Sequence, residues 1–304
     1  MSFFVSFPFE AAIADAEKEP CEKFRYAVIL KDGNKLIGGC EIALREDYAY
    51  LGWILHKDYW KQGCGTEFGR ELLRFGFEEL GVRRIIASCD AENYGSYRVM
   101  ERIGMRREGL LIEGRPANKL TDRPYSDEFE YAILKDEWEA RREAEFYNGL
   151  PVKFDGFIDV PELSDGVTHL VCLEKTPANS ERKHVPGYKF AICRGGERIG
   201  YIDLRIGYSD GLYFAGQIGY AVDEKYRGNG YAGRACRLVL PVARAHGMER
   251  LLITTSQDNK SSQSVCEKLG ARRVRVARLP EWHERYKDGV RWMIYEWNVL
   301  SQPR

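Results

Sequence analysis

Apolar and polar positions alternate through the first part of the chain in short runs closed by turn residues. Lys23–Leu30 and Lys35–Leu44 flank Asp32-Gly33-Asn34, the pattern of two strands joined as a hairpin, and Tyr48–Leu55 reads as a third strand. Between Gly65 and Leu80 the period changes. Phe68, Leu72, Phe75 and Leu80 recur near a 3–4 spacing and Gly81 follows, which predicts an amphipathic helix with a glycine stop. Arg84–Ser88 is a short buried strand, Gly95–Ile103 a helix ended by Gly104, and Glu128–Leu134 a last strand.

The same order then returns. Tyr188–Cys193, Ile199–Ile206 and Gln217–Val222 read as strands, followed by a helix that ends at His246-Gly247 and that Pro241 should kink. Leu251–Thr255, a helix from about Ser261 to Leu269, and strands near Val274 and at Trp292–Val299 complete the series. Trp53–Gly65 lies over Tyr220–Ala232 at an offset of 167; after one deletion an offset of 166 brings Gly81 onto Gly247, Gly104 onto Gly270 and Glu130 onto Glu296. A period this long means two copies of one domain rather than a solenoid. Strands interleaved with helices around one mixed sheet give each copy an α/β (α+β) fold. The copies are expected at residues 1–145 and 146–304, with a linker over 139–165 that is helical early and then rich in Pro and Gly.

Composition narrows the setting. The 304 residues suit two domains of about 150 residues each. Net charge is zero, with 28 acidic against 22 basic residues before position 150 and 18 against 24 from there on. This balance gives no case for nucleic acid as a partner. No apolar run approaches the ~20 residues of a membrane span, and the first residues carry no basic flank for a secretory signal, so a cytoplasmic protein is expected. The eight cysteines are scattered without metal-ligand or disulfide-scaffold spacing, so they are expected to be reduced and mostly structural, and no metal is expected.

The chemistry signal is Arg227-Gly228-Asn229-Gly230-Tyr231-Ala232, after an apolar strand and before a helix. A turn of this kind leaves several backbone N–H groups pointing outward at a positive helix end, and glycines let a phosphate approach the main chain. Several donors aimed the same way suit a diphosphate. Gly63-Cys64-Gly65 repeats the context in the first copy, and an Asn follows the next strand in both, Asn93 and Asn259.

At these residues the sequence resembles the GNAT superfamily of acyl-CoA-dependent N-acyltransferases, whose signature is Arg/Gln-x-x-Gly-x-Gly/Ala between strand and helix. The second copy matches through Arg227, Gly230 and Ala232; the first has Gly63 and Gly65 but Trp60 in place of the Arg or Gln. Tyr59–Glu67, Asn93-x-x-Ser96, Met100–Met105 and Asp127-x-x-x-Tyr131 running on to Glu137-Trp138 resemble the branch of ribosomal-protein N-terminal alanine acetyltransferases. The resemblance implies two tandem domains, each a mixed, mostly antiparallel sheet with a splayed central strand pair and flanking helices. It implies acetyl-CoA as acyl donor and an amine as acceptor, either a small molecule or a peptide N-terminus, in a monomer with pseudo-twofold domains or a homodimer.

The resemblance also assigns residues. Backbone at Ile54, Leu55 and His56, and at Ala221, Val222 and Asp223, would pair with the pantetheine arm. The turns Gln62, Gly63, Cys64, Gly65, Thr66 and Arg227, Gly228, Asn229, Gly230, Tyr231, Ala232 would hold the pyrophosphate, with Asn93, Asn259 and Ser96 beside the cofactor. The family's thiolate-protonating Tyr is replaced by Met100 and Cys266, so Cys266 is a candidate acid, with Ser96 and Ser262 as alternatives. Glu41 and Asp203, late in the strand before the splayed one, are candidate general bases. Phe9–Glu19 corresponds to the family's second helix, so the first copy is expected to lack the first strand and helix that help shape the acceptor cleft. Its sheet edge would then be completed by Val152–Val160 or by a neighbouring chain. The second copy is therefore the favoured catalytic unit. A catalytic first copy acting on a protein N-terminal amine, or a non-catalytic acyl-CoA sensor, are the alternatives.

Overall fold

A computed structural model describes residues 3–6, 22–117, 124–181, 184–281, 283 and 285–301. The chain divides into two units, Met1–Glu139 and Ala140–Arg304, each built on its own sheet. In the first unit the elements are β1 (Phe3–Ser6), β2 (Lys23–Leu30), β3 (Lys35–Arg45), β4 (Tyr48–Leu55), α1 (Cys64–Arg74, extended by a π-turn at Phe75–Glu79), β5 (Arg84–Asp90), α2 (Tyr94–Ile103), β6 (Arg106–Pro116) and β7 (Tyr125–Leu134). The division falls inside α3 (Lys135–Asn148). The second unit continues with β8 (Leu163–Ser164), β9 (His169–Thr176), β10 (Gly187–Arg194), β11 (Glu197–Arg205), α4 (Asp210–Ala215), β12 (Ile218–Val222), α5 (Tyr231–Leu238), α6 (Leu240–Ala245), β13 (Arg250–Ser256), α7 (Lys260–Lys268), β14 (Arg272–Arg278) and β15 (Arg291–Asn298).

The strand orders are β1-β2-β3-β4-β5-β7-β6 and β14-β15-β13-β12-β11-β10-β9-β8. Every pairing is antiparallel except β4 with β5 and β12 with β13, the crossovers that pass through α1 and through α5–α6. Phe68, Leu72 and Leu73 of α1 and Tyr97, Met100 and Ile103 of α2 are buried against Ile42, Leu51 and Ile85 of the first sheet. The predicted long helix of the second copy breaks at Val239 into α5 and α6, with Pro241 in the first turn of α6, where its missing N–H is harmless. Among the described residues no helix is long and apolar enough to cross a membrane.

Three expectations need correction. The outer edge of β2 is taken by Phe3–Ser6, which pairs antiparallel with Ala27–Leu30. Val152–Val160 serves the second unit instead: Phe154, Phe157, Ile158 and Val160 pack on its core, and the Lys153 N–H donates to the His246 carbonyl at 2.8 Å. Phe9–Glu19 lies outside the described residues. Second, a short connection is not peculiar to the first copy: β9 and β10 of the second are joined through 177–186 alone. The described part of 177–186 holds a bridge between Asn179 and His184 and no helix. Third, Glu130 does not correspond to Glu296. Ser88 pairs with Glu130 whereas Thr254 pairs with Ile294, so the last strands are displaced by two residues relative to the 166 offset.

A glycine in each copy lets the central strand come close. A Cβ on Gly38 would collide with the Ile54 carbonyl, and one on Gly200 with the Ala221 carbonyl. Gly38 faces Leu55 across the β3–β4 ladder, and Gly200 faces Val222 across β11–β12, so both glycines stand where the central strand ends.

On the far face of the second sheet, Ala140, Ala144 and Tyr147 of α3 pack with Tyr213, Phe214, Leu252, Leu279 and Ile294. Glu296 anchors this layer. It accepts from the Tyr147 hydroxyl at 2.5 Å and from Arg250 at 2.8 Å, and pairs with Arg272 at 3.4 Å. Burial pushes its carboxyl up, but these partners outweigh that and hold it below its ordinary value of 4.5. A carboxyl depressed on folding contributes stability above the unfolded value and loses it as pH falls through the lower folded value. Glu296→Gln is therefore expected to cost about 1–3 kcal/mol at pH 7. Urea titrations at successive pH values should show that deficit shrinking below pH 4.5.

Candidate active site

Strand β4 pairs with β5 through Tyr48–Leu51 only; from Gly52 onward it keeps to β3 and its other edge opens. β12 and β13 share the single register pair Ile218–Ile253 and part beyond it. Each copy thus has a gap between its two central strands, and Ile54 beside the first gap is 80 % exposed. An open strand edge offers backbone donors and acceptors to an extended ligand arm.

The glycine turns sit at the mouth of each gap. Gly63 (φ +90°) caps α1, and Gly230 (φ +78°) caps α5 after Gly228 (φ +82°). At all three, nothing stands within 4 Å of where a Cβ would be. The first bonds to the capping carbonyls come from Thr66 (3.0 Å) and Glu67 (3.1 Å) in one copy and from Arg234 (3.1 Å) in the other. The N–H groups of Cys64 and Gly65, and of Tyr231, Ala232 and Gly233, therefore have no carbonyl within their helices. The Asn229 side chain braces its turn by donating to the Tyr226 and Arg227 carbonyls, both at 3.1 Å. Trp60, the apparent departure from the motif, does the work of Arg227. Its indole N–H donates to the Leu55 carbonyl at 2.8 Å, as Arg227 Nε donates to Val222 at 3.0 Å. Open space before left-handed glycines, with unsatisfied donors behind, fits a diphosphate such as that of coenzyme A.

Asn93 and Asn259 are helix N-caps, each accepting from the N–H three residues on, Ser96 and Ser262, at 3.1 Å. That role occupies the side-chain oxygen and leaves the amide nitrogen for any other contact. Ser262 Oγ lies 2.9 Å from the Tyr220 hydroxyl across the second gap. Met100 and Cys266 both face the cores and are fully buried. Burial pushes the Cys266 thiol up to about 12. A thiol enclosed in the core and this reluctant to ionise does not reach a leaving group, so Cys266 is corrected from candidate acid to packing residue.

The face of each sheet opposite α1–α2 or α5–α7 carries a row across the gap. In the first copy, Arg25 pairs with Glu41 and Glu41 with Gly52, while Ser88 on the other bank pairs with Glu130. In the second copy the row is Lys189, Asp203, Gly219, then Thr254 and Ile294. The two candidate bases thus hold equivalent places, each opposite a glycine of the opened strand. Glu41 is held by Lys23 at 3.0 Å and Arg25 at 3.5 Å. A groove of about 720 Å³ beside it is bounded by Arg25, Tyr26, Gly39, Trp53 and Ile54. Sequence reasoning missed Ser88, Glu130 and Thr254. Their one signal is that a hydroxyl precedes the helix-capping Asn by five residues in both copies.

The far banks differ. Thr254 is met by Arg285, whose Nη2 lies 3.4 Å from its hydroxyl and donates to the Ala215 carbonyl at 2.9 Å, with the guanidinium 4.7 Å over the Trp292 ring. Ile294 is buried under the α3 layer.

Each copy thus joins an opened strand pair to a capping glycine turn and a row of side chains across the gap. The model of the GNAT acetyltransferase domain matches residues 8–106 and again 164–272, and the chain belongs to that family. Among curated relatives, the N-acetyltransferase YnaD of Bacillus subtilis is 39 % identical over 116 residues, covering 38 % of this chain and 66 % of YnaD. YdaF of the same organism, provisionally named a ribosomal N-acetyltransferase, is 32 % identical over 94 residues, covering 31 % of this chain and 49 % of YdaF. A crystal structure of a GNAT-family acetyltransferase from Bacillus anthracis is 38 % identical, covers 36 % of this chain and 66 % of its own, and has a TM-score of 0.34. The chain thus spans about half to just under two thirds of the length of these relatives.

Proposed function

We propose that this protein moves an acetyl group from acetyl-CoA to an amine, and that the transfer takes place in the first copy. One observation carries the choice of copy. The first row ends in a carboxylate, Glu130, one strand across from the opened edge of β5, whereas the second ends in buried Ile294 with Arg285 on the Thr254 hydroxyl. The second copy is the fuller motif match, but its acceptor side is covered.

Acetyl-CoA, when bound, supplies a thioester carbonyl open to attack by an amine. The backbone of Gln62–Thr66 would hold its diphosphate, and the open edge of β4 its extended arm. An amine must lose its proton to attack. Lys23 and Arg25 occupy the Glu41 carboxylate as ion partners. Glu130 makes no ion pair among the described residues and takes the proton in this reading. Ser88, in register with Glu130 and donating to Glu128 at 2.6 Å, orients the acceptor. A peptide N-terminus belongs in the acceptor panel, since YdaF is named for ribosomal acetylation.

The test is Glu130→Ile, which gives the first copy the second copy's residue. kcat/KM should fall by about 100-fold or more, with acetyl-CoA affinity within about twofold of the parent. Full turnover in Glu130→Ile, together with its loss in Asp203→Asn, would move the transfer to the second copy.

A further inference from the structure

A cationic cavity lies beside the glycine turn of the second copy. It measures about 440 Å³ and is lined by Asp165, Asn229, Gly230, Arg234, Arg237 and Leu238. Two of its walls are built rather than incidental. Asp165 accepts from the Val167 and Thr168 N–H groups at 3.0 and 2.7 Å and holds Arg234 at 2.8 Å. That pair neutralises itself, so Asp165 orients Arg234 rather than repelling an anion on its own account. Arg237 Nη2 donates to the Lys268 carbonyl at 2.9 Å, and among the described residues the guanidinium pairs with no carboxylate. Its Nη1 stands 3.7 Å from where a Cβ of Gly233 would be, so the side chain lies back along α5 toward the capped end, over a residue with none.

The turn forms one side of the cavity, and two kinds of donor face that space. One is the backbone N–H group, the other a guanidinium, which favours phosphate oxygens by charge and by its planar fork of donors. Coenzyme A carries phosphate at two places, the diphosphate and the 3′-phosphate on the adenosine ribose. We infer that Arg237, steadied beside Arg234, takes the 3′-phosphate and makes the second copy discriminate coenzyme A from 3′-dephospho-coenzyme A. This rests on the coenzyme A reading above. In the first copy Arg70 stands in place of Arg237, but Glu67 replaces Arg234 and Thr66 replaces Gly233, so a carboxylate sits where the steadying guanidinium would be and that copy should show the weaker preference.

The experiment is calorimetric titration of both compounds into the full chain carrying Gly63→Trp, so that the second turn alone is read, with and without Arg237→Gln. Coenzyme A should bind about tenfold tighter than the dephospho form, and Arg237→Gln should erase that preference by weakening coenzyme A alone. Arg237→Lys, which keeps the charge but not the fork, should restore part of it, and circular dichroism confirms folding. Equal affinities in the parent overturn the assignment, as does an equal loss for both compounds in Arg237→Gln, which would place Arg237 on the diphosphate. If neither compound binds to any folded variant, it is the coenzyme A reading itself that fails.

Discussion

Replacing Gly63 by Trp is expected to lower amine acetylation by about 100-fold or more and to remove one equivalent of acetyl-CoA from a calorimetric titration. Gly230→Trp should remove the other equivalent and leave turnover close to the parent's. Both glycines are left-handed, at +90° and +78°, and face open space, so an indole fills the place a phosphate would take without striking the fold. The backbone conformation itself costs about 1–2 kcal/mol for a residue with a Cβ, which a two-domain protein of this size should tolerate; melting curves check it. The reverse pattern, turnover lost with Gly230 and kept with Gly63, would assign the chemistry to the second copy and make the row ending in Glu130 a surface feature.

Trp297→Ala should produce the largest loss of stability. Trp297 is fully buried on β15 opposite Leu251, among Met293, Tyr295 and the residues of α5 and α6. Emptying such a site costs about 3–5 kcal/mol. Trp297→Phe should behave differently, because the indole N–H is buried and finds no acceptor among the described residues. An orphaned donor of this kind carries a penalty of about 1–3 kcal/mol, so losing it offsets much of the lost ring area. Urea unfolding should place Trp297→Phe within about 1 kcal/mol of the parent. A Phe variant as unstable as the Ala variant would mean that packing shape alone governs the site.

Where a strand has one buried face, the amino-acid pattern located it well. Tyr48–Leu55 matches β4 to the residue, because Ala49 and Leu51 are buried while Tyr50 between them is exposed. Strands without such a face left no pattern. β6 is exposed along most of its length and β9 along most of its second half, since both lie at or near sheet edges. The six-residue α4 shows only its Ser209 cap and Gly216 stop, too short for periodicity to register. The turns were legible because they need particular residues: a left-handed position before a helix asks for glycine. The rows were not, because they are made of side chains from four strands whose register appears only when the sheet forms. The two-residue displacement of β7 against β15 hid this further, since an even shift keeps every side chain on its expected face while changing its neighbours. The match of Glu130 to Glu296 was plausible for that reason and wrong for the same one.

Gly38 and Gly200 carry a last consequence. Engineers looking for a hardier variant of a protein often begin with strand glycines, since an alanine there narrows the unfolded ensemble and is commonly stabilising. At these two places that habit would misfire: a methyl group would meet the neighbouring carbonyl and push the central strand out of line. The shape of each cleft is in this sense written into its framework rather than its chemistry. A copy that had stopped transferring would still be held to the same outline by the need to fold, and could go on receiving a long, phosphate-bearing guest after its catalytic side chains had drifted away.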